Sequence, residues 1–291
     1  MARAERLNRL VASAAARLPI RRSAAALMVP LLLLVGAGCS ASTALDSDPS
    51  PVPVVTQDQD TVSEVGQSPT ASEGPAAPSA GDATDYFTAI ASNDEETTGQ
   101  AQKLAAPKSV AAAYALHLST TAAADLDGGY SEDADELNVD GGDYESCPSE
   151  GKCTTWSDVA FSGGKVSSFT VNGVDINKRI SVGSGDRVKV GGLVQVRFIS
   201  AYQSVASKAL YVTFEFKSGG ESVTTNLDSA KYRDPSGRQA TATSSGGPND
   251  LDRDSSAHGY AVFKGAKPGG VVTLDIYDSD YDDHYVRIKT G

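Results

Sequence analysis

The chain has 291 residues, 37 of them acidic and 25 basic, for a net charge of −12. Six of the basic residues are arginines crowded into the first 22 positions, so the remainder is more acidic still. A surface of that sign repels phosphate backbones and anionic headgroups, which excludes nucleic-acid binding.

The arginine-rich start runs into Leu31-Leu32-Leu33-Leu34-Val35-Gly36-Ala37-Gly38-Cys39. A basic segment, a short apolar core and small residues before a cut describe a secretory signal over residues 1–38. With a cysteine as first residue after the cut, it resembles a bacterial lipoprotein signal, and Cys39 is the expected site of lipidation. Gly36 departs from the aliphatic residue such signals usually carry three places before the cysteine. The alternatives are an ordinary cleaved signal or an uncleaved anchor. Ser23 to Leu45 carries no charge and is long enough on paper to span a membrane, but its last seven residues are small and mostly polar. Arg21-Arg22, flanked by Ile20 and Ser23, fits a twin-arginine signal poorly. Losing residues 1–38 removes six arginines and Glu5, which moves the net charge to −17.

Residues 39–83 are dominated by Ser, Pro, Asp, Thr, Ala and Gly without apolar periodicity. Such a segment buries too little surface to offset its ordering entropy and reads as a disordered tether. As a flexible coil it spans roughly 35–40 Å. Residues 84–128 read as a helical segment. Asp85 to Ala91 starts it, Thr98 to Ala106 forms a second short helix, and Pro107 suits the first turn of a third. Val110, Ala113, Tyr114, Leu118 and Ala122 mark one face of that third helix, which Gly128-Gly129 ends. His117 lies beside this face with no partner visible in the pattern.

Residues 129–152 form an acidic, Gly-rich loop carrying a disulfide. With Cys39 acylated, Cys147 and Cys153 are the remaining pair in an oxidising compartment. Closing so small a ring removes little chain entropy, roughly 2 kcal/mol. A redox role prefers tighter spacing, and zinc needs two further ligands.

From residue 153 to 291 the pattern is β. Leu210 to Lys217 alternates, with Leu, Val, Phe and Phe inward and Tyr, Thr, Glu and Lys outward. Val194, Val196 and Phe198 do the same, as do Val272, Leu274 and Ile276. Turn signals at Gly163-Gly164, Asn172-Gly173, Gly219-Gly220, Pro235-Ser236-Gly237 and Pro268-Gly269-Gly270 leave room for about nine to eleven short strands. The fold class is mainly β: an antiparallel sandwich after a short helical segment and a tether.

Within the last eighty residues, Leu210–Phe216, Asp234-Pro235-Ser236-Gly237-Arg238, Leu251 with Ser255-Ser256, Gly259-Tyr260-Ala261-Val262-Phe263 and Val272-Thr273-Leu274 follow one another in order. This succession resembles the telokin-like, immunoglobulin-fold domain of secreted lipoproteins of Gram-positive bacteria. The resemblance covers about a third of the chain and implies an immunoglobulin-like sandwich in a binding or accessory module. Its motifs are turn and core residues, so it carries over no catalytic group. Ser218-Gly219-Gly220-Glu221 departs from the family's Asn-containing first turn.

Candidate chemistry is sparse. Asp278, Asp280, Asp282 and Asp283 could converge on a hard cation, and calcium is the one cofactor such oxygens would suit. Asp283 at the sixth position and Lys289 at the twelfth rule out an EF-hand. Asn249, Asp250, Asp252 and Asp254 form a second acidic loop and Asp125-Leu126-Asp127 a third, and a solvated turn is the simpler account of each. No nucleophile elbow, zinc-histidine pair or Ser-x-x-Lys is present, and His117, His258 and His284 are the three histidines. The proximity of Ser255 and Ser256 to His258 in sequence is not triad geometry. The chain is therefore read as a non-enzyme. Tyr211 and Tyr277 fall on outward strand positions, and Tyr281 and Tyr285 flank the acidic loop, which marks that edge as the expected binding surface.

The sequence thus describes a lipid-anchored, extracytoplasmic binding or interaction module. Its partners are the membrane, through the anchor, and an envelope or extracellular protein. The alternatives are a calcium-stabilised structural surface protein and an envelope hydrolase. Intact-mass spectrometry of the mature protein should find a chain beginning at an acylated Cys39; an unmodified Cys39 would leave a secreted protein without an anchor.

Overall fold

The computed structural model describes residues 80–131, 133–148 and 152–291. The expected signal, Cys39, residues 39–79 of the expected tether, and Ser149 to Gly151 of the disulfide loop lie outside the described residues.

Three helices come first: α1 (Ala80–Ile90), α2 (Glu95–Leu104) and α3 (Val110–Asp127). Helix α1 begins four residues inside the segment expected to be tether, because Ala83, Tyr86, Phe87 and Ile90 form one apolar stripe that extends back past Tyr86. Asp94 caps α2, its Oδ1 accepting from the Thr97 amide at 2.8 Å. That places the start of α2 earlier than the apolar pattern suggested. Ser109 caps α3 in the same way through the Ala112 amide, so Pro107 stays in the preceding turn.

A five-stranded antiparallel meander follows: β1 (Glu136–Asp140), β2 (Asp143–Cys147), β3 (Thr154–Ser162), β4 (Lys165–Val171) and β5 (Val174–Asp175). Two sequence boundaries change here. Residues 136–147, read as an acidic loop, are a hairpin in which Asp140 pairs Asp143 across Gly141-Gly142. Both glycines have positive φ, 59° and 99°, as a two-residue hairpin turn requires. Strands β3 to β5 belong to this sheet and not to the sandwich, because Trp156, Phe169 and Val171 face the helices. The rings there form one cluster. Phe87 lies 4.4 Å from Tyr144, 5.3 Å from Trp156 and 5.3 Å from Phe169, and Tyr114 reaches Phe169 at 5.4 Å. The Cys147–Cys153 disulfide links the ends of β2 and β3.

The sandwich starts at Ile180. Its first sheet contains β6 (Ile180–Val182), β7 (Arg187–Val190), β8 (Val194–Gln203), β9 (Ala209–Ser218), β12 (Ser244–Gly246) and β14 (Ser256–Lys264). Its second contains β10 (Val223–Arg233), β11 (Gln239–Thr241), β13 (Asp250–Leu251), β15 (Val271–Tyr277) and β16 (Asp283–Lys289). The chain crosses between sheets after β9, after β11, after β12, after β13 and after β14. Leu210, Val212, Phe214 and Phe216 of one sheet pack with Val223, Tyr232, Leu274 and Ile276 of the other. Two buried inner faces in contact define a sandwich.

The residues carrying the family resemblance occupy structural positions within it. Asp234 Oδ1 accepts from the Ser236 amide at 2.9 Å and the Arg238 amide at 3.0 Å, closing the β10–β11 turn. A side chain at Gly259 would meet Leu227 Cδ1 at 2.7 Å and Phe216 Cε2 at 3.0 Å, so this position of β14 needs a residue without one.

One irregularity joins the two halves of the fold. Phe198 pairs Phe214, but Ser200 pairs Thr213, so Ile199 is an extra residue in β8. Up to Phe198 the even positions face the sandwich core; beyond the bulge Ala201 does, and Ser200 and Tyr202 turn to the opposite face. Helix α3 lies on that face. Outward positions of β9 beneath the helix are therefore covered, Thr213 fully and Tyr211 by half, while Lys217 further along stays exposed.

His117 seals this contact. It is buried, with Nδ1 2.8 Å from Ser200 Oγ, which is 2.7 Å from Thr213 Oγ1. Thr213 in turn donates to the Ser200 carbonyl. The chain of bonds is complete when Ser200 donates to Thr213 and the neutral imidazole donates Nδ1–H to Ser200. Burial drives the His117 pKa from 6.5 down to about 3. The unfolded chain therefore takes up this proton first, and the stability His117 contributes is complete above pH 6.5 and lost as the pH falls toward 3. Urea unfolding should show the protein about 2 kcal/mol less stable at pH 5 than at pH 8 from this group. His117→Gln should flatten that limb; an unchanged slope would contradict the assignment.

Candidate binding groove beside helix α3

Register builds the outer face of the first sandwich sheet row by row. Tyr260, Thr213 and Ser200 stand abreast, and Tyr211 stands beside Tyr202 in the next row. In the opposite direction come His258, Glu215, Arg197 and Arg187. Glu215 takes Arg187 Nη2 at 2.6 Å on one oxygen and Arg197 Nη2 on the other. Burial opposes ionisation of Glu215, but the two guanidiniums outweigh it and hold the carboxyl below its ordinary range.

Helix α3 ends over this face with two carboxylates and no basic residue in its last turn, an arrangement its own dipole disfavours. Strand β14 offsets that. Tyr260 donates to Asp125 Oδ1 at 2.9 Å, and Asp127 Oδ2 accepts the His258 amide at 2.6 Å with His258 Nδ1 at 3.2 Å. The stretch Asp125-Leu126-Asp127, read from sequence as an acidic loop, is thus the pin holding α3 to the sheet. Partial burial raises the Asp125 pKa, and the Tyr260 hydroxyl pulls against that shift.

A groove opens where α3, the α1–α2 junction and the sheet meet. Its volume is about 350 Å³. Tyr211 and Tyr260 reach it from the sheet, Leu118, Ala122 and Asp125 from α3, and Ile90, Asp94 and Glu95 from the junction. Leu126 and Tyr130 form a rim and are 58% and 69% exposed. Its walls mix ring and aliphatic surface with polar groups, among them Asn93, Thr98 and Thr121.

The residues singled out from sequence are dispersed. Tyr211 lines this groove. Tyr277 and Tyr285 instead share the outer face of the second sheet, since Tyr285 pairs Asp275, two residues from Tyr277 on the same strand. Tyr281 is 80% exposed at the loop tip with φ +65°. The four tyrosines do not form one surface, because Tyr211 and the other three belong to opposite layers. In the acidic loop, Asp278 is engaged by the turn itself. Asp278 Oδ1 accepts the amides of Asp280 and Asp282, each at 2.9 Å, and Oδ2 lies 3.0 Å from His284 Nε2. The His284 contact and these amides hold the Asp278 carboxyl below its ordinary range.

Asp278 therefore ties the β15–β16 turn together, while Asp280, Asp282 and Asp283 point to solvent as exposed residues. Among the described residues the one set of three metal-type ligand atoms drawn within 4.8 Å is Glu145, Cys147 and Cys153, whose two sulfurs are the disulfide. In the second acidic loop, Asp250 belongs to β13 and accepts from the Thr224 hydroxyl at 2.6 Å. Among the described residues no helix is long and apolar enough to cross a membrane.

No protein-family model matches the chain, and no curated protein matches it. Among solved structures, a Bacillus subtilis crystal structure of ycdA, provisionally described as a lipoprotein, aligns at 17% identity with a TM-score of 0.27. That alignment covers 36% of this chain and 38% of ycdA. The X-ray structure of Northeast Structural Genomics Consortium target SoR45 aligns at 11% identity and a TM-score of 0.18, over 34% of this chain and 79% of that one. Scores this low do not establish a shared fold.

Sequence reasoning missed the groove, although the outward Tyr211 and the Asp125 pair were both visible. Tyr260→Phe should lower stability by about 1–2 kcal/mol in urea unfolding, because it leaves the half-buried Asp125 without its donor. Tyr285→Phe, on an exposed side chain, should stay within about 0.5 kcal/mol.

Proposed function

We propose that the protein is a lipid-anchored, extracytoplasmic, non-enzymatic binding module of a bacterial cell envelope, with its ligand held in the groove beside α3. The signal-like start with Cys39 supports the location. The groove carries the binding reading: a concave, aromatic-walled space framed by side chains fixed from three elements. The histidines support a structural rather than a catalytic use. His117 meets a Ser200 that is itself fully buried, whereas a nucleophilic serine must be open to its substrate. His258 and His284 each fasten a turn or helix end.

A photo-crosslinking residue at position 130 tests this reading in whole cells. It should capture a discrete partner or ligand that the same residue at position 281 does not. Equal labelling from both positions, or none from position 130, would remove the groove as the binding site.

A further inference from the structure

The composition of the groove wall is uneven in charge. Three carboxylates reach it, from Asp94, Glu95 and Asp125, and no Lys, Arg or His does. Three tyrosines face the same space, from Tyr130, Tyr211 and Tyr260. Aliphatic surface from Ile90, Leu118 and Ala122 completes it.

These groups act on a ligand in different ways. Tyrosine rings attract cations over their faces and shield apolar stems from water. Here the rings of Tyr211 and Tyr260 lie 6.2 Å apart. Asp125 is the fixed charge. Its Oδ1 is positioned by the Tyr260 hydroxyl. Asp94 is held in place as the cap of α2, and its bonds to the Thr97 amide keep its carboxyl below the ordinary range. Neither carboxylate has a cation beside it in the groove. A neutral ligand would leave this negative charge uncompensated, and an anionic one would be repelled. The acidic excess of the whole chain adds a long-range pull of the same sign.

A bare metal ion is a poorer fit, because the carboxylate oxygens of this wall are not gathered within a coordination radius among the described residues. An ammonium or guanidinium on an apolar stem satisfies both halves of the wall.

We infer that the groove binds a small organic cation: a primary amine or guanidinium carried on an aliphatic stem. This inference rests on the groove being the binding site and names what it selects. Charge at one end and carbon along the stem must both be present, so neither a free ion nor a plain hydrocarbon satisfies it.

The test uses the mature protein, with n-pentylamine, n-pentanol and n-pentanoate as probes followed by amide chemical-shift titration. The amine should bind about tenfold more tightly than the alcohol, with pentanoate weaker than either. Asp125→Asn should weaken the amine about tenfold and leave the alcohol unchanged. Glu95→Gln, on an exposed helix surface, should weaken the amine by a smaller factor without disturbing the fold, and it serves if Asp125→Asn proves unstable. Saturable binding in which amine and alcohol are equal, or in which both variants leave the amine unaffected, would overturn the cation inference while leaving the groove as a site. Absence of shifts around Tyr211, Tyr260 and Leu118 with every probe would overturn both.

Discussion

The extra residue at Ile199 is the constraint on which the rest of the molecule depends. A regular β8 would send one set of side chains to the sandwich core along its full length. The bulge reverses that assignment midway, so a single strand feeds Val194, Val196 and Phe198 to one core and Tyr202 to another. Its partner β9 needs no such break, because Thr213 and Tyr211 already face outward opposite Ser200 and Tyr202. The sheet thereby acquires a semi-polar strip that only a helix with matching groups can cover.

Helix α3 is built to cover it. Alanines at 111, 115, 123 and 124 are buried and let the helix approach closely, and His117 supplies the one hydrogen bond the hydroxyl pair still needs. A buried neutral imidazole stabilises the contact at neutral pH and opposes it in acid. The far end of α3 relies on a different device, two aspartates tied to β14 against the helix dipole. The groove is the space left between these two attachments and the α1–α2 junction.

Much of this was legible in the sequence, and the failures have physical reasons. Strands with a solvated outer face, such as β15, alternate cleanly and were found. Strand β9 alternates equally well, yet the alternation that turns Thr213 outward says nothing of what covers that side. The β1–β2 hairpin was hidden by its acidic residues, although Gly141-Gly142 between Val139 and Tyr144 is a hairpin signal. Strands β3 to β5 look like sandwich strands locally, and only the aromatic contacts of Trp156 and Phe169 assign them elsewhere. At the acidic turn the sequence shows four carboxylates but not that two backbone amides engage one of them, Asp278. The groove drew on residues 90, 94, 125, 211 and 260, far apart in the chain, and no local pattern joins them.

The position of α1 has a consequence for the shape of the groove. Tyr86 and Phe87 place the helix in the ring cluster against Trp156 and Phe169, and Ile90 at its end is part of the groove wall. Close-packed interiors transmit strain instead of absorbing it. One short helix therefore ties the packing of the rings to the width of the groove.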